Sequence, residues 1–528
     1  MAPRVRRPWL IATGMALALA VSGTVSAQIT LNGDFDHGSL DEANSFASGS
    51  FVQLAGRDNF NPGSWKWLYF SADNVNGLTP VFQIDDDFVT GGSNLNAHDM
   101  VYSYDQDEWF FFDNNTRNAS ADTYTFSNNA PFTQDEVYVA YGLPYSVGRS
   151  VAHTTAIASS PWTQPTLSGG SDFVIGQSPG GTDDIGRTIA PQDLYGYKIT
   201  DPTETGPKVK IALLGGVHSN ETLGNHTLEA MVDYLVGDTL DAGILRRRAE
   251  FYVYPMANPD GRLAGYNRST VEEPDLDPNR FWDTPNYGGQ SDIKAVGDAI
   301  IADTDGAVDF FIDFHSTVQK GSGHFAFIDI DRNFQLNPFW LRLRELDPTI
   351  GESDASLIND TAARFGLVEL GAGFTITFET RFLAGENEDR FVTLGQDFGQ
   401  AFADVLATPA GDLNFDGRVD SADYAVLVLN AETSTAGLTV IDAYARGDLN
   451  NDGANDVLDF GLFKDIFIDT NGLAAFSLLV AGVPEPTTVA LLAIAGVLTA
   501  PRRAPRPSLP PPLCPPRAGF PPGDASHD

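Results

Sequence analysis

Four side chains of a candidate zinc site, spread over three short and distant segments, constrain the fold more than any other feature of the sequence. His218 and Glu221 lie three residues apart, His315 follows much later, and Glu379 comes later still. Two histidines and one glutamate leave one coordination position of Zn²⁺ open, which is the ligand set of a hydrolytic zinc site. The remaining glutamate is then available as a general base. The pattern predicts a fold that brings these segments together around one zinc ion.

The segments around these residues alternate between strand and helix patterns. Residues 208–214 read as a buried strand, residues 221–236 as an amphipathic helix, and residues 250–254 as another strand. His218 is therefore predicted at a strand-to-helix turn at the carboxyl end of a sheet, where α/β proteins place ligand sites. The alternation predicts an α/β domain with a mixed or mainly parallel sheet over residues 185–409.

At 528 residues the chain exceeds what one hydrophobic core usually serves, so several domains are expected. Residues 28–155 are rich in aromatic and β-branched residues with frequent turn signals, which predicts a β-sandwich. Residues 156–184 are dense in Ser, Gly and Pro and are predicted to be a linker or a long connecting loop. A further module is predicted over residues 410–475, and the resemblance given below for its repeated motif implies that it is small and α-helical. The predicted fold class is therefore multidomain, with a β-sandwich, an α/β mixed-sheet domain and a helical module.

Charge and cysteine usage narrow the range of partners. The net charge of −38 and a pI near 4.3 argue against nucleic acid or an anionic membrane. The one cysteine, Cys514, lies in a Pro-rich tail, so the folded body is predicted to contain no disulfide.

Both ends of the chain read as sorting signals. Residues 1–27 combine a basic start, an apolar stretch and a small-residue cleavage site, as a secretory signal peptide does, with a transmembrane anchor as the alternative. Residues 481–503 place Val-Pro-Glu-Pro before a short apolar stretch and a basic pair. This order resembles the PEP-CTERM signal of Gram-negative bacteria, which implies export and exosortase-type sorting machinery as partners. A simple tail anchor is the alternative, and a Pro-rich tail, residues 504–528, follows.

These signals predict an exported protein at the cell surface or outside the cell, transiently anchored in the membrane through the carboxyl-terminal segment.

A twelve-residue acidic motif occurs twice after residue 409. Each copy places oxygen-bearing side chains at positions 1, 3, 5, 9 and 12 and a glycine at position 6, which suits a calcium loop. The candidate ligands are Asp412, Asn414, Asp416, Asp420 and Asp423, and then Asp448, Asn450, Asp452, Asp456 and Asp459. The repeat resembles a type I dockerin, which implies two Ca²⁺ ions and a cohesin-like domain as a partner. Two chance Asp/Asn-rich turns are the alternative.

An ordered set of motifs covers residues 185 to 405. In chain order they are HxxE at His218, NPDG at 258–261, Arg268, Asn279-Arg280, the strand-end His315, and TFET around Glu379. Together they resemble the M14 family of zinc carboxypeptidases. The segments before residue 155 resemble the β-sandwich that precedes the catalytic domain in cytosolic carboxypeptidase-like enzymes. A carbohydrate-binding sandwich is the alternative, since exposed Trp and Tyr also suit sugar stacking.

The resemblance implies a role for each matched residue of the metal site. His218, Glu221 and His315 match the ligands of one Zn²⁺, and Glu379 matches the general base that deprotonates zinc-bound water. Zn²⁺ lowers the pKa of its water to about 7, and a neighbouring carboxylate can pass the proton to the leaving amine.

The same resemblance assigns the basic residues to the substrate. Arg268 occupies the place of the arginine that polarises the scissile carbonyl, with Arg262 as a rival because it also follows NPDG. Asn279 and Arg280 match the pair that holds the terminal carboxylate, for which a planar guanidinium is well shaped.

Two departures from the family pattern stand out. Residues 316–378 contain no Tyr, where family members commonly have one that contacts the substrate, and His324 is a candidate substitute. The first motif reads His-Ser-Asn-Glu rather than His-Pro-Gly-Glu. The sequence predicts an exported zinc metallocarboxypeptidase acting on peptide or protein carboxyl ends. The alternatives are a deacylase or amidohydrolase on small amides or cell-wall peptides, and a non-catalytic surface-assembly protein.

Overall fold

The structure is a computed structural model that describes residues 28–60, 67–85, 95, 98–316, 323–354, 360–382, 386–406 and 409–481. The predicted signal peptide, the predicted Pro-rich tail and all but the first residue of the predicted sorting segment lie outside these residues. Among the helices that the structure does describe, none combines the length and apolarity that a membrane span requires.

The amino-terminal region consists of two five-stranded sheets that face each other. Its strands are β1 (Thr30–Asn32), β2 (Phe46–Ser48), β3 (Phe51–Leu54), β4 (Tyr69–Asp73), β5 (Val81–Asp85), β6 (Met100–Ser103), β7 (Trp109–Phe111), β8 (Asn114–Asn118), β9 (Thr123–Ser127) and β10 (Glu136–Tyr141). One sheet has the order β1-β4-β10-β6-β7 and the other β2-β3-β5-β9-β8.

Alternate side chains of these strands form one core between the sheets, as the period of a half-buried strand requires. Phe70 of β4 packs edge-on against Phe82 of β5, and Phe82 stacks on Phe126 of β9 with ring centroids 5.3 Å apart. The amino-terminal region is therefore strand-rich, as predicted.

The α/β unit begins with helix α1 (Val147–Ile157). Its strands are β11 (Thr163–Pro165), β12 (Val174–Gln177), β13 (Gly181–Thr182), β14 (Thr188–Ile189), β15 (Asp193–Tyr195), β16 (Tyr197–Ile199), β17 (Val209–Gly215), β18 (Ala249–Tyr254), β19 (Phe310–Ser316), β20 (Phe325–Ile328), β21 (Gly351–Asp354) and β22 (Phe374–Thr380). Its other helices are α2 (Leu223–Val236), α3 (Leu240–Arg248), α4 (Pro259–Ala264), α5 (Ser291–Asp303), α6 (Pro338–Leu346), α7 (Ala362–Val368) and α8 (Asp389–Val405). Short 3₁₀ turns cover Pro278–Arg280, Tyr287–Gly289 and Phe334–Leu336.

Eight of these strands form one mixed sheet with the order β11-β16-β18-β17-β19-β22-β20-β21. The central neighbours β18, β17, β19 and β22 are parallel, while β16 and β20 run antiparallel to β18 and β22. Helices α2, α6 and α8 pack on one face, with Leu228, Trp340 and Phe398 in that core. Helices α5 and α7 cover the other face through Ile293 and Phe365. The prediction of a mixed, mainly parallel sheet is confirmed.

Residues 156–184 were predicted to be a linker or a long connecting loop, and the structure places short strands of the α/β unit in this segment. Strand β11 lies in this segment and pairs with β16 at the edge of the large sheet, and Phe173 is buried in the core. Gly169 allows two backbone segments to pack closely, because a Cβ at this position would lie 2.6 Å from the Gly196 carbonyl oxygen. The segment is therefore part of the α/β unit.

Polar contacts join the sandwich to the α/β unit. The Arg57 guanidinium donates to the Ala264 carbonyl oxygen at 2.8 Å and is paired with Asp183 and Asp184. The Asn267 side chain accepts from the Trp67 backbone N–H at 3.0 Å and donates to the Arg57 carbonyl oxygen at 2.7 Å. The hydrogen bonds to Ala264 and Asn267 both fix the segment 264–267, which immediately precedes Arg268.

His98 is buried at the same junction and makes stability depend on pH. Its Nδ1 accepts from the Phe382 backbone N–H at 3.4 Å, and burial, followed by the charges of Arg381 and Arg117, lowers its pKa to about 3. The unfolded chain takes up this proton near pH 6.5, the folded chain only near pH 3. Stability from this residue is therefore lost progressively as the pH falls from 6.5 toward 3.

We expect a His98→Asn variant, which keeps an acceptor for Phe382, to show a shallower decline of unfolding free energy between pH 6 and 4. Urea unfolding at several pH values measures that slope. A slope equal to that of the unsubstituted protein would contradict this account of His98.

The helical module that follows contains α9 (Ser421–Leu429), α10 (Val440–Tyr444), α11 (Val457–Asn471) and α12 (Leu473–Ala481), with short strands β23 (Thr433–Ser434) and β24 (Ala454–Asn455). Its two acidic loops have the same internal hydrogen bonds. The Asp423 carboxylate accepts from the Leu413 and Asn414 backbone N–H groups, and Asp459 accepts from the equivalent Leu449 and Asn450.

The sixth position of each loop has the positive φ that favours glycine, +88° at Gly417 and +95° at Gly453. The sequence repeat is therefore also a structural repeat, while its calcium and dockerin character stays a prediction. The module packs on α3, where the Arg247 guanidinium lies over the Phe415 ring at 4.6 Å.

Candidate active site

Three adjacent parallel strands place the predicted metal ligands and base at one edge of the sheet. The chain leaves β17 at Gly215, passes His218 and Glu221 in a turn, and enters α2 at Leu223. His315 lies near the end of β19, and Glu379 lies beside it in register on β22. The carboxyl ends of parallel strands meet at one edge, which explains why three distant segments converge.

His218, Glu221 and His315 form a compact, buried cluster. Their ligand atoms lie within 4.8 Å of one another, and no other group of three or more His, Cys, Asp or Glu in the described ranges converges as closely. His218 Nδ1 lies 2.9 Å from Glu221 Oε1, and His315 Nδ1 lies 2.6 Å from Glu221 Oε2 and 3.0 Å from His218 Nδ1. Two imidazole nitrogens and one carboxylate that face a common point fit Zn²⁺.

The opposite nitrogen of each imidazole faces a carboxylate. Asp277 lies 2.9 Å from His218 Nε2, and Asp313 lies 2.8 Å from His315 Nε2. Such a partner fixes the tautomer that leaves Nδ1 available as a ligand and makes that nitrogen more basic. Burial opposes ionisation of Asp277, yet the charges of His218 and Arg268 hold its pKa well below the usual range.

Asp277 and Asp313 were not identified from the sequence as parts of the site. A signal existed for Asp313, because it lies two residues before His315 on one strand and therefore on the same face. The sequence signal for Asp277 is weaker, since a turn positions it.

Arg268, and not its rival Arg262, faces the cluster. Its Nη1 donates to Glu221 Oε1 at 3.3 Å and its Nε donates to Asp277 Oδ2 at 2.8 Å. Arg262 is fully buried on α4 and donates to the Tyr145 carbonyl oxygen at 2.7 Å and to Asn225 Oδ1 at 3.0 Å. These contacts make Arg262 a structural residue and leave Arg268 as the basic residue of the site.

Glu379 is a further buried carboxylic acid of the site. Its side chain is 9% exposed, and burial together with the negative charge of Glu221 raises its pKa to about 8. A carboxyl group with a pKa near neutral can both accept and return a proton in that range. This position and environment suit the predicted base.

Asn279 and Arg280 follow Asp277 in the same 3₁₀ turn. The side-chain oxygen of Asn279, Oδ1, accepts from the Ala362 backbone N–H at 2.8 Å. The side-chain nitrogen of Asn279, Nδ2, lies 3.2 Å from His315 Nε2. Arg280 donates to the Asn279 backbone carbonyl oxygen, and its side chain is 38% exposed. Asn279 therefore contacts the metal cluster, while Arg280 remains accessible to a ligand.

The other histidines of the unit have structural contacts. His324 is buried, accepts from the Arg381 backbone N–H at 3.0 Å and lines a small cavity with Asp347 and Arg390. Its described contacts are thus with that cavity rather than with the metal cluster. His226 contacts the Pro144 carbonyl oxygen and Glu388, which agrees with the structural role expected from its position.

Comparison with known proteins agrees with this geometry. Residues 181–317 match the zinc carboxypeptidase family, peptidase M14. The chain contains an M14 zinc carboxypeptidase domain. This match supports a peptide hydrolase.

Curated relatives of the carboxypeptidase domain are cytosolic carboxypeptidases. Human cytosolic carboxypeptidase 2 is 23% identical over 288 residues, which are 51% of this chain and 30% of the relative. Mouse cytosolic carboxypeptidase 3 is 25% identical over 272 residues, 46% of this chain and 25% of the relative. Mouse cytosolic carboxypeptidase 6 is 29% identical over 167 residues, 30% of this chain and 31% of the relative. The chain thus spans less than a third of the length of each of these relatives.

Solved structures share the fold. A metallo-carboxypeptidase from Burkholderia cenocepacia matches with a TM-score of 0.60 and 22% identity, covering 72% of this chain and all of that chain. The Pseudomonas aeruginosa metallo-carboxypeptidase in complex with (2-guanidinoethylmercapto)succinic acid matches with a TM-score of 0.55 and 20% identity over 72% of this chain and all of that chain. Because each match covers 72% of this chain, the shared fold is larger than the domain predicted over residues 185–409.

The contact between Asp313 and His315 leads to a test of metal positioning. We expect Asp313→Asn to weaken zinc binding about 10- to 100-fold, because the amide is a poorer partner for the imidazole N–H than the carboxylate. Competition with a zinc-binding dye measures this affinity. The exposed Asp298→Asn on α5 is the matched control, and an Asp313→Asn protein with unchanged zinc affinity would contradict the role of Asp313.

Proposed function

We propose that this protein is a zinc metallocarboxypeptidase that removes one residue from the carboxyl end of a peptide or protein. The observation that carries the proposal is the convergence of His218, Glu221 and His315 beside Glu379 and Arg268 at the carboxyl edge of the sheet. The chain therefore presents a ligand set, a base and a cation at one place.

The protein residues have separate tasks in this reaction. Zn²⁺ held by the two histidines and Glu221 would act as a Lewis acid on a carbonyl oxygen and would acidify water. Glu379 takes the proton of the attacking water and returns it to the leaving amine. Arg268 places a positive charge where the scissile carbonyl oxygen becomes negative, a contribution of about 3–4 kcal/mol for one such donor in other enzymes.

Arg280 supports the preference for a chain end. Its partly exposed guanidinium can present two parallel N–H groups to a terminal carboxylate. We propose that the amide nitrogen of Asn279 contributes the second donor of this pair, although its contact with His315 Nε2 also ties it to the metal cluster.

A deacylase or amidohydrolase acting on small amides is the second candidate function. It is favoured by the absence of Tyr from residues 316–378, together with the contacts that hold His324 away from the cluster. Such an enzyme would use the same metal cluster and base but would not require a polypeptide end.

The test uses full-length, zinc-loaded protein and a peptide library with varied carboxyl-terminal residues. Mass spectrometry would follow the loss of single residues, with a chelator control, a Glu379→Ala control and a matched library of carboxyl-terminal amides. We expect loss of one terminal residue from the free acids only. Hydrolysis of N-acylated small amides without peptide trimming would replace the peptidase with the deacylase, and no turnover by the zinc-loaded protein would favour a binding role.

We further propose export, sorting through residues 481–503, and two Ca²⁺ ions in the repeated loops of the helical module. The matching hydrogen bonds of Asp423 and Asp459 support equivalent roles for the two loops. Calorimetric titration of the protein with Ca²⁺ tests this, with loss of one site expected in Asp412→Ala, and an absence of heat above dilution would reject calcium. A cohesin-like partner belongs to the same proposal.

A further inference from the structure

A large groove lies on the outer face of the sandwich, where it meets the carboxypeptidase domain. Its volume is about 840 Å³, and its walls come from β1, β4, β7, β10, the start of α1 and Glu388 next to α8. On β4 and β10, Phe70 and Val139 point into the sandwich core, whereas Tyr69 and Tyr138 point outward into the groove. The groove is therefore separate from the core and open to a ligand.

Aromatic rings form one wall of this groove. Phe35 packs edge-on against Tyr69 at 5.0 Å and against Tyr138 at 6.0 Å. Tyr69 also lies 5.9 Å from Trp109, which is only partly buried. The faces of such rings attract cations, with Trp and Tyr the strongest.

The charged side chains of the groove are predominantly acidic. Asp36, Asp107, Glu136 and Glu388 line it, and Arg149 is the one Arg or Lys among the lining residues that the structure describes. Arg149 is already paired with Glu229 at 2.7 Å and with Glu388 at 2.5 Å. Three carboxylates, Asp36, Asp107 and Glu136, therefore remain without a basic partner among the residues that line the groove.

A buried histidine at the inner wall has unused hydrogen-bonding capacity. His37 is 2% exposed and stacks on Trp67, and its ring lies against the Ser219 backbone, whose carbonyl oxygen can accept from the imidazole N–H. A neutral imidazole also offers one acceptor nitrogen, and no described residue donates to either ring nitrogen. Leaving that acceptor unused in a buried position is costly. A ligand with N–H groups would use that acceptor.

His37 also connects the groove with the active site. Its backbone N–H donates to the Leu263 carbonyl oxygen at 2.9 Å, at the start of the segment that carries Arg268. Its ring lies close to the backbone of Ser219, the neighbour of the ligand His218. The inner wall of the groove and the turn that carries His218 are therefore in contact through His37 and Ser219.

We propose that the groove binds a lysine or arginine side chain in the body of the polypeptide substrate, upstream of the carboxyl end that is removed. The proposal rests on the carboxypeptidase function proposed above. Unpaired carboxylates, aromatic faces and an unused acceptor nitrogen are together the chemistry that recognises an ammonium or guanidinium group. The outer face of the sandwich would then select substrates by charge, at a distance from the bond that is cleaved.

Binding is tested separately from catalysis. The probe is an acetylated, carboxyl-amidated peptide of alternating lysine and serine, titrated by fluorescence anisotropy into full-length, zinc-loaded Glu379→Gln protein. A glutamate–serine peptide and a neutral glucose oligosaccharide are the comparison ligands. Because the peptide has no free carboxyl end and the protein lacks its base, the result does not depend on peptidase activity.

The variant Asp36→Asn/Asp107→Asn removes two exposed charges of the groove. We expect it to bind the lysine peptide about 3- to 10-fold more weakly, since each exposed charge contributes modestly. The matched control is Asp122→Asn/Asp305→Asn, which makes the same charge change at exposed positions with φ of +50° and +57°, where Asn is well tolerated. Glu136→Gln is the second groove variant should the first fold poorly.

Three results would overturn the proposal. The first is equal affinity of the groove variants, the control variant and the parent for the lysine peptide. The second is no preference for the lysine peptide over the glutamate peptide. The third is binding of the oligosaccharide without binding of the lysine peptide, which would make the groove a sugar site. In the active enzyme, upstream lysines are expected to lower KM without changing kcat, and the groove variants should lose that advantage.

Discussion

Replacement of Glu379 by glutamine is expected to lower kcat by about 10²- to 10⁴-fold while the zinc content stays at one ion per chain. Glu379 is buried beside His315 on the neighbouring strand, so it is placed to move protons but is not one of the three clustered ligands. Glutamine has nearly the same shape and cannot accept the proton. The loss should therefore appear in kcat and not in folding.

Single-turnover assays on a peptide with a free carboxyl end, combined with metal analysis, measure this effect. The matched control is Glu369→Gln, which exchanges an exposed carboxylate of the same domain. An unchanged kcat would remove Glu379 as the base. Loss of zinc in the Glu379→Gln protein would instead make it a ligand or a support of the ligands.

Arg268→Gln and Arg262→Gln are expected to fail in different ways. Arg268 contacts Glu221 and Asp277 inside the site, so its loss should lower kcat about 10²- to 10³-fold, as for other donors to a developing oxyanion. Arg262 supports Tyr145 and Asn225 away from the cluster, and its loss leaves buried acceptors unpaired. That variant should lose about 2–4 kcal/mol of stability and retain kcat in its folded fraction.

The two variants are measured side by side, by urea unfolding and by steady-state kinetics on one peptide substrate. Each serves as the control of the other, because both remove one guanidinium from the same stretch of chain. The assignment fails if Arg262→Gln loses activity while it stays folded, or if Arg268→Gln loses stability alone.

The sequence was sufficient for the central elements because ligand chemistry and hydrophobic period agree there. The strand predicted over 208–214 is Val209–Gly215, and the helix predicted from 221 begins at Leu223, after the turn that presents the ligands. Residue type alone restricts a hydrolytic zinc site to few combinations, so the order of His218, Glu221 and His315 was informative without a structure.

The family resemblance favoured Arg268 over Arg262, but short-range sequence patterns left Arg262 as a rival, because the choice depends on how helix α4 ends. Gly265 has a φ of +69° and approaches Gly38 so closely that a Cβ would lie 2.0 Å from the Gly38 carbonyl oxygen. This left-handed end redirects the chain toward the metal cluster, and it depends on a contact with the distant sandwich. Short-range patterns carry no information on such a contact.

The predicted linker over 156–184 shows a related limit. Ser, Gly and Pro are frequent in linkers, but Gly169 is needed here for close packing against Gly196. Composition does not distinguish the two uses of glycine. The edge strand β11 is only three residues long, too short to give a recognisable period.

The hydrogen bonds from Arg57 and Trp67 to residues 264–267 join a domain that is synthesised first to a segment that is synthesised later. The sandwich precedes the catalytic unit in the chain, and domains generally fold as units from the amino terminus during translation. The folded sandwich can thus present the guanidinium and the backbone carbonyl of Arg57 before Ala264 and Asn267 leave the ribosome. The amino-terminal domain thereby helps to hold the arginine-bearing loop of the active site in its position.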